Sequence, residues 1–138
     1  RGICPKLSSA MADLSESFKA FPDVRFLSIS VDPANDSVPA IREYASQYGA
    51  DPNRWYFITG EKEKLYRLAH EAFFFRASEG PDGELGFVHD EKLMLVDKEG
   101  RLRKDPKSLV FLNGTNPNDV KLMKDWIELL IHEYRENP

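Results

Sequence analysis

Cysteine is almost absent: Cys4 is the only one in 138 residues. One thiol forms no disulfide within the chain, so a scaffold stapled by internal disulfides is excluded. A Cys-x-x-Cys redox pair is excluded too, because positions 1 and 7 hold Arg1 and Leu7. Long apolar runs are also missing. None approaches the roughly 20 residues that span a bilayer, and no stretch has the layout of a secretory leader. Nor is there an excess of positive charge. Nineteen Lys and Arg stand against 23 Asp and Glu, for a net charge of -4. Phosphate binding draws on clustered Lys and Arg. Here the bases are scattered among acids, so nucleic acid is excluded as the main partner. No repeat, low-complexity tract or linker divides the chain, and its length suits a single domain over residues 1–138.

What is present is an ordinary globular balance, 41% hydrophobic and 30% charged. Periodicity supplies the elements. Leu7, Met11, Leu14 and Phe18 recur at helical spacing, so Pro5 to Ala20 is a helix, stopped by Phe21-Pro22-Asp23. Val24 to Val31 is apolar and β-branched, a buried strand, followed by a polar turn around Pro33. Val38, Ile41, Ala45 and Tyr48 make Val38 to Tyr48 a helix closed by Gly49. Trp55 to Thr59 is a short strand. Glu61 to Phe74 is a helix with Leu65, Leu68, Ala69 and Ala72 inward. Ser78 to Gly86, with three glycines and a proline, is a loop. Leu93 to Val96 is a buried strand, Asp97 to Gly100 a turn, and Ser108 to Leu112 a further strand. Pro117 to Glu136 is a long helix whose inner stripe is Val120, Met123, Ile127, Leu130, Ile131 and Tyr134. Phe73 to Phe75 is read as core, with an exposed partner surface as the alternative.

This order of helix, strand, helix, strand, helix, loop, strand, strand, helix implies right-handed βα crossovers. The fold class is α/β and thioredoxin-like, a central mixed sheet flanked by helices. In that topology a strand precedes the first helix. The expectation is therefore that the domain's N-terminal strand lies before Arg1.

Cys4-Pro5 directly precedes the first helix. A helix start presents unpaired N–H groups and the positive end of the helix dipole. Both stabilise a thiolate, the form that is nucleophile and metal ligand. Position alone leaves two readings open, a reactive thiolate and a small packed hydrophobe. A peroxiredoxin-type site, with a hydroxyl three residues earlier, is excluded by Arg1. A Cys–His pairing stays open. Of the three histidines, His70 and His132 sit among polar neighbours on helices, as surface residues do. His89 instead ends the long loop before the strand Leu93 to Val96. In a thioredoxin-like sheet that loop lies against the start of the cysteine helix, so the topology brings His89 toward Cys4.

The chain resembles the Sco/SenC family of copper-binding thioredoxin-fold proteins. The resemblance runs from Cys4 to about Gly100. It rests on Cys4-Pro5, on Phe26 to Pro33 ending in Val31-Asp32-Pro33 with Asp36 after it, and on Arg42-Glu43-Tyr44-Ala45. It continues through Tyr48-Gly49-Ala50-Asp51, Trp55 to Gly60, and His89 eight residues before the Asp97 of Leu95-Val96-Asp97.

The resemblance implies that Cys4 and His89 are two of three copper ligands. The third would be the first cysteine of the family's Cys-x-x-x-Cys-Pro, immediately before Arg1. It also implies a protein outside the cytosol, tethered to a membrane through a segment beyond residues 1–138 and facing the periplasm or an equivalent compartment. Its work would be delivery of copper, as Cu(I) or Cu(II), to the dinuclear copper site of cytochrome c oxidase. The partner would be that oxidase subunit or another copper or thiol protein. Two alternatives stand beside this: a thiol–disulfide oxidoreductase with Cys4 as the redox thiol, and a redox-inactive binding module. Asp32 and Asp90 are candidates for a supporting role next to the ligands. Turn formation for Asp32, and simple solvent exposure for Asp90, are the competing readings.

Overall fold

The computed structural model describes residues 4–73, 77–79, 85–87, 91–104 and 111–138, with 77–79 and 85–87 as backbone alone. The chain forms two compact units, Arg1–Asp90 and Glu91–Pro138.

In the first unit, α1 (Pro5–Ser17) begins with proline in its first turn, where a missing N–H costs nothing. Met11 and Leu14 are buried on it, with Phe18 just beyond, as the helical spacing requires. Strand β1 (Phe26–Ile29) runs parallel to β2 (Trp55–Ile58), pairing Phe26 with Trp55 and Ile29 with Ile58. Parallel neighbours need a crossover, and α2 (Val38–Gln47) lies within it. Ser37 caps α2 by accepting a hydrogen bond from the Ala40 N–H. Gly49, at φ 63°, turns the chain out of it in the left-handed region that glycine enters freely.

Helix α3 (Lys62–Phe73) follows. Then β3 (Ala77–Glu79) and β4 (Leu85–Phe87) pair antiparallel, Ser78 opposite Gly86. This corrects the loop expected over Ser78 to Gly86. The breaker residues of that stretch are concentrated between positions 80 and 83, so they separate two strands that pair rather than abolishing them.

Two inward faces are also corrected. Val38 is 58% exposed, and α2 packs instead through Ile41 and Tyr44. Val38 is the first helical residue, and the buried face starts one turn later. On α3, Leu65, Tyr66 and Ala69 are buried while Leu68 and Ala72 are exposed. The Tyr66 hydroxyl donates to the Val31 carbonyl, 3.1 Å, which turns that side of the helix inward.

In the second unit, β5 (Lys92–Met94) pairs antiparallel with β6 (Phe111–Asn113), and α4 (Pro117–Glu136) closes the chain. Leu93, Leu112, Met123, Trp126 and Ile127 are buried. Val96, expected inside a buried strand, is exposed and makes only an isolated bridge to Leu102, because Asp97 already begins a turn. Helix α4 matches its expected bounds. Asn116 accepts the Asn118 N–H at its start, and Asp119 stands in the first turn, where the helix dipole favours an acid. The mixed α/β character holds. Among the described residues the strands pair as three two-stranded sheets, one parallel and two antiparallel.

Candidate functional site

Cys4 is the N-cap of α1, in extended conformation, half-buried and with a free thiol. Its carbonyl accepts the first helical hydrogen bond, from Ser8 N at 2.9 Å. Its side chain makes no capping hydrogen bond. The thiol thus sits at the positive end of a 13-residue helix without being consumed by the cap.

One turn into α1, Ser8 is buried, 1% exposed, and its Oγ accepts a hydrogen bond from the Tyr44 hydroxyl at 2.8 Å. Tyr44, on α2, is itself 7% exposed. Its ring lies 4.9 Å from Tyr48 and meets Phe57 edge-on at 6.3 Å. Phe57 stacks on Trp55 at 5.1 Å, and the Trp55 indole N–H donates to Ser28 Oγ at 3.0 Å. An aromatic series therefore runs from the parallel strands to the turn that carries the cysteine. Burial pushes the Tyr44 phenol up to about 12, a rise that the Ser8 hydrogen bond opposes and that a hydrogen bond with Tyr48 and electrostatic interaction with Tyr48 and Cys4 reinforce. Reading the sequence missed Ser8 and gave Tyr44 no role. The available signal was a hydroxyl next to the apolar row of α1, one turn after the cysteine.

The other expected residues fall out as follows. Asp32 is occupied by its turn: its Oδ2 accepts from Asn35 Nδ2, 2.8 Å, and its carbonyl accepts from the N–H groups of Asn35 and Asp36. Its own N–H donates to Ser30 Oγ, 3.1 Å. Ser30 and Asp36 are buried and bonded to each other, and the Thr59 hydroxyl ties Asp36 through its carbonyl to the end of β2. Asp32 thus behaves as the first residue of an Asp-Pro turn. His70 and His132 are exposed, and His132 Nδ1 lies 3.3 Å from Glu136. His89, Asp90, Phe74 and Phe75 lie outside the described residues, as does the side chain of Phe73. Among the described residues, no group of three His, Cys, Asp or Glu is placed to hold a metal ion. Cys4 is the one thiol there.

Asp97, eight residues after His89, is buried and accepts from the N–H groups of Glu99 and Arg101, at 3.0 and 2.9 Å. It also accepts from Arg101 Nε at 2.8 Å and Arg103 Nη1 at 3.4 Å. Burial would raise its carboxyl. The hydrogen bonds from Arg101 and Arg103 outweigh that and hold it at about 2. Its place in the spacing pattern reflects turn construction.

The SCO1/SenC family model matches residues 1–108. The chain belongs to the SCO1/SenC family. A SCO1 protein homolog of Bacillus subtilis (strain 168) is 33% identical over 104 residues, which are 75% of this chain and 54% of that one. The chain therefore spans about half the length of the curated relative it matches. A crystal structure of a SCO1/SenC family lipoprotein from Bacillus anthracis str. Ames, 22% identical, superposes with a TM-score of 0.75 over 94% of this chain and 73% of that one. That likeness shows the fold, and the thioredoxin-like class read from the sequence holds. BsSco, described as a member of the Sco family of cytochrome c oxidase assembly proteins, is 28% identical, with a TM-score of 0.64 over 88% and 72% of the two chains. No described helix of this SCO1/SenC chain is long and apolar enough to cross a membrane.

Proposed function

We propose that this SCO1/SenC protein carries copper and passes it to cytochrome c oxidase during assembly of the dinuclear copper site. Copper is its cargo. Cys4 and His89 are the ligands within the chain, and a second cysteine directly before Arg1 completes the set. The observation that carries the reading is the Cys4 thiol, half-buried at a helix start and left free by the cap, in a chain of this family. Such a thiolate is a soft donor that suits Cu(I), and imidazole serves both oxidation states. Three ligands leave copper a position through which a partner's ligand enters. The relative from Bacillus anthracis is a lipoprotein, which supports tethering to a membrane outside the cytosol.

A second reading is favoured by one observation: BsSco has been described as containing a disulfide switch. In that reading the same two cysteines reduce a disulfide on a partner. They form their own S–S bond and hand over two electrons and two protons.

Anaerobic titration of the full-length protein with Cu(I) against a competing chelator separates the two. One-to-one binding that disappears in both Cys4→Ala and His89→Ala is the expected result. A wild type that binds no better than these variants would overturn the carrier reading and leave thiol exchange and a redox-inactive binding module to compete.

A further inference from the structure

A thiol at a helix start works as a ligand or nucleophile only if the first turn holds it in one place. In an isolated helix that turn frays, because its N–H groups have no partners within the helix. Cys4 lends no help of its own, since its side chain does not cap. The first turn is held from outside instead. Ser8 is the residue whose N–H closes the first helical hydrogen bond onto the Cys4 carbonyl. Its hydroxyl is buried and bonded to Tyr44, 36 positions away in sequence. Tyr44 is fixed in turn by Tyr48 and by Phe57, which stacks on Trp55 in β2.

We infer that Ser8 and Tyr44 are positioning residues for Cys4, anchoring the turn that bears the thiol to the parallel strand pair through one buried hydrogen bond. The inference rests on the reading of Cys4 as the working thiol, and it commits to no particular metal. Both groups are neutral, so the anchor adds no charge beside a thiolate. A buried carboxylate or ammonium in the same place would alter its charge balance directly.

The test uses the copper-free, full-length protein and reads the rate at which iodoacetamide alkylates Cys4 at neutral pH. Where the family's upstream cysteine is present, mass spectrometry of the Cys4 peptide keeps the two thiols apart. Tyr44→Phe keeps the ring and removes the hydroxyl. Ser8→Ala removes the acceptor, and Ser8→Thr keeps it. Alkylation is expected to slow on the order of fivefold in Tyr44→Phe and in Ser8→Ala, the size of effect that one buried hydrogen bond supports. The rate should return to within about twofold of wild type in Ser8→Thr, where the same bond re-forms. A general loss of packing would not be rescued by a hydroxyl alone. Wild-type rates in both Tyr44→Phe and Ser8→Ala would overturn the inference, as would equal slowing in Ser8→Thr and Ser8→Ala. If Tyr44→Phe does not fold, the two Ser8 variants decide the matter. Cu(I) affinity is measured on the same samples. Slowed alkylation with no Cu(I) binding in wild type would leave the positioning role standing and bring down only the carrier reading.

Discussion

The two units hold their critical turns by opposite means. The turn at the start of α1 is anchored by neutral groups: a serine hydroxyl, a phenol and stacked rings, all buried or nearly so. The turn after β5 is anchored by charge. Asp97 gathers two backbone N–H groups, Arg101 and Arg103, and Arg103 reaches on to Glu133 of α4. Arg101 also meets Glu99, and the Tyr134 hydroxyl bonds to Glu99 as well. A charged anchor is open to acid and salt. A neutral one is not, and it leaves the electrostatics of a nearby thiol to the helix dipole.

Removing Asp97 breaks the comparison most forcefully. Asp97→Ala leaves the N–H groups of Glu99 and Arg101 without their acceptor and two guanidiniums without their partner. The melting temperature, followed by circular dichroism, is expected to fall by roughly 5–10 °C. A change under about 1 °C would mean the charged anchor contributes little.

The pH windows of the two units sharpen the contrast next. Asp97 is held at about 2 against an ordinary 3.8. A depressed carboxyl contributes stability that is present above the ordinary value and lost as pH falls from there through about 2. Tyr44 is raised to about 12 against an ordinary 10.0. A raised phenol contributes stability that is present below the ordinary value and lost as pH rises through about 12. Each unit contains one tryptophan, Trp55 or Trp126, so Trp126→Phe and Trp55→Phe each leave a single reporter. Native fluorescence of Trp126 should fail first in acid, and that of Trp55 first in alkali. Identical profiles for the two reporters would erase the distinction.

The smallest effect concerns the outer edge of the charged anchor. The Arg103–Glu133 pair is part-exposed, so Glu133→Gln should lower the melting temperature by no more than about 2 °C, a difference that vanishes at roughly 0.5 M salt. A salt-independent loss would show that Glu133 contributes through packing.

Local pattern carried most of the fold. Helix α4 is legible to the residue because Asn116, Pro117 and a long apolar stripe agree. Cys4 is legible as a helix start because Pro5 can follow it there. What stayed hidden depends on partners distant in sequence. The face of α3 is set by Tyr66 reaching Val31, so the spacing that favoured Leu68 misled. Trp126 is buried in α4 although the inner stripe was drawn without it. The hairpin β3–β4 was masked by turn residues concentrated at its centre. In the candidate site, the Cys4 position was evident, but Ser8 and Tyr44 were not. Nothing local to Ser8 announces a phenol 36 residues away. The pairing of Cys4 with His89 rests on sequence and topology alone.

The cap of α1 has one more implication. A serine, threonine or aspartate at an N-cap typically steadies a helix by about 1 kcal/mol relative to a residue that cannot accept the N–H. This helix forgoes that gain by starting on cysteine, whose thiol makes no cap bond. Cys4→Ser would supply a side chain able to cap and so steady the helix start, at the loss of the thiol. A cap bond and a free thiol are therefore alternatives at this one position, and the chain has the thiol.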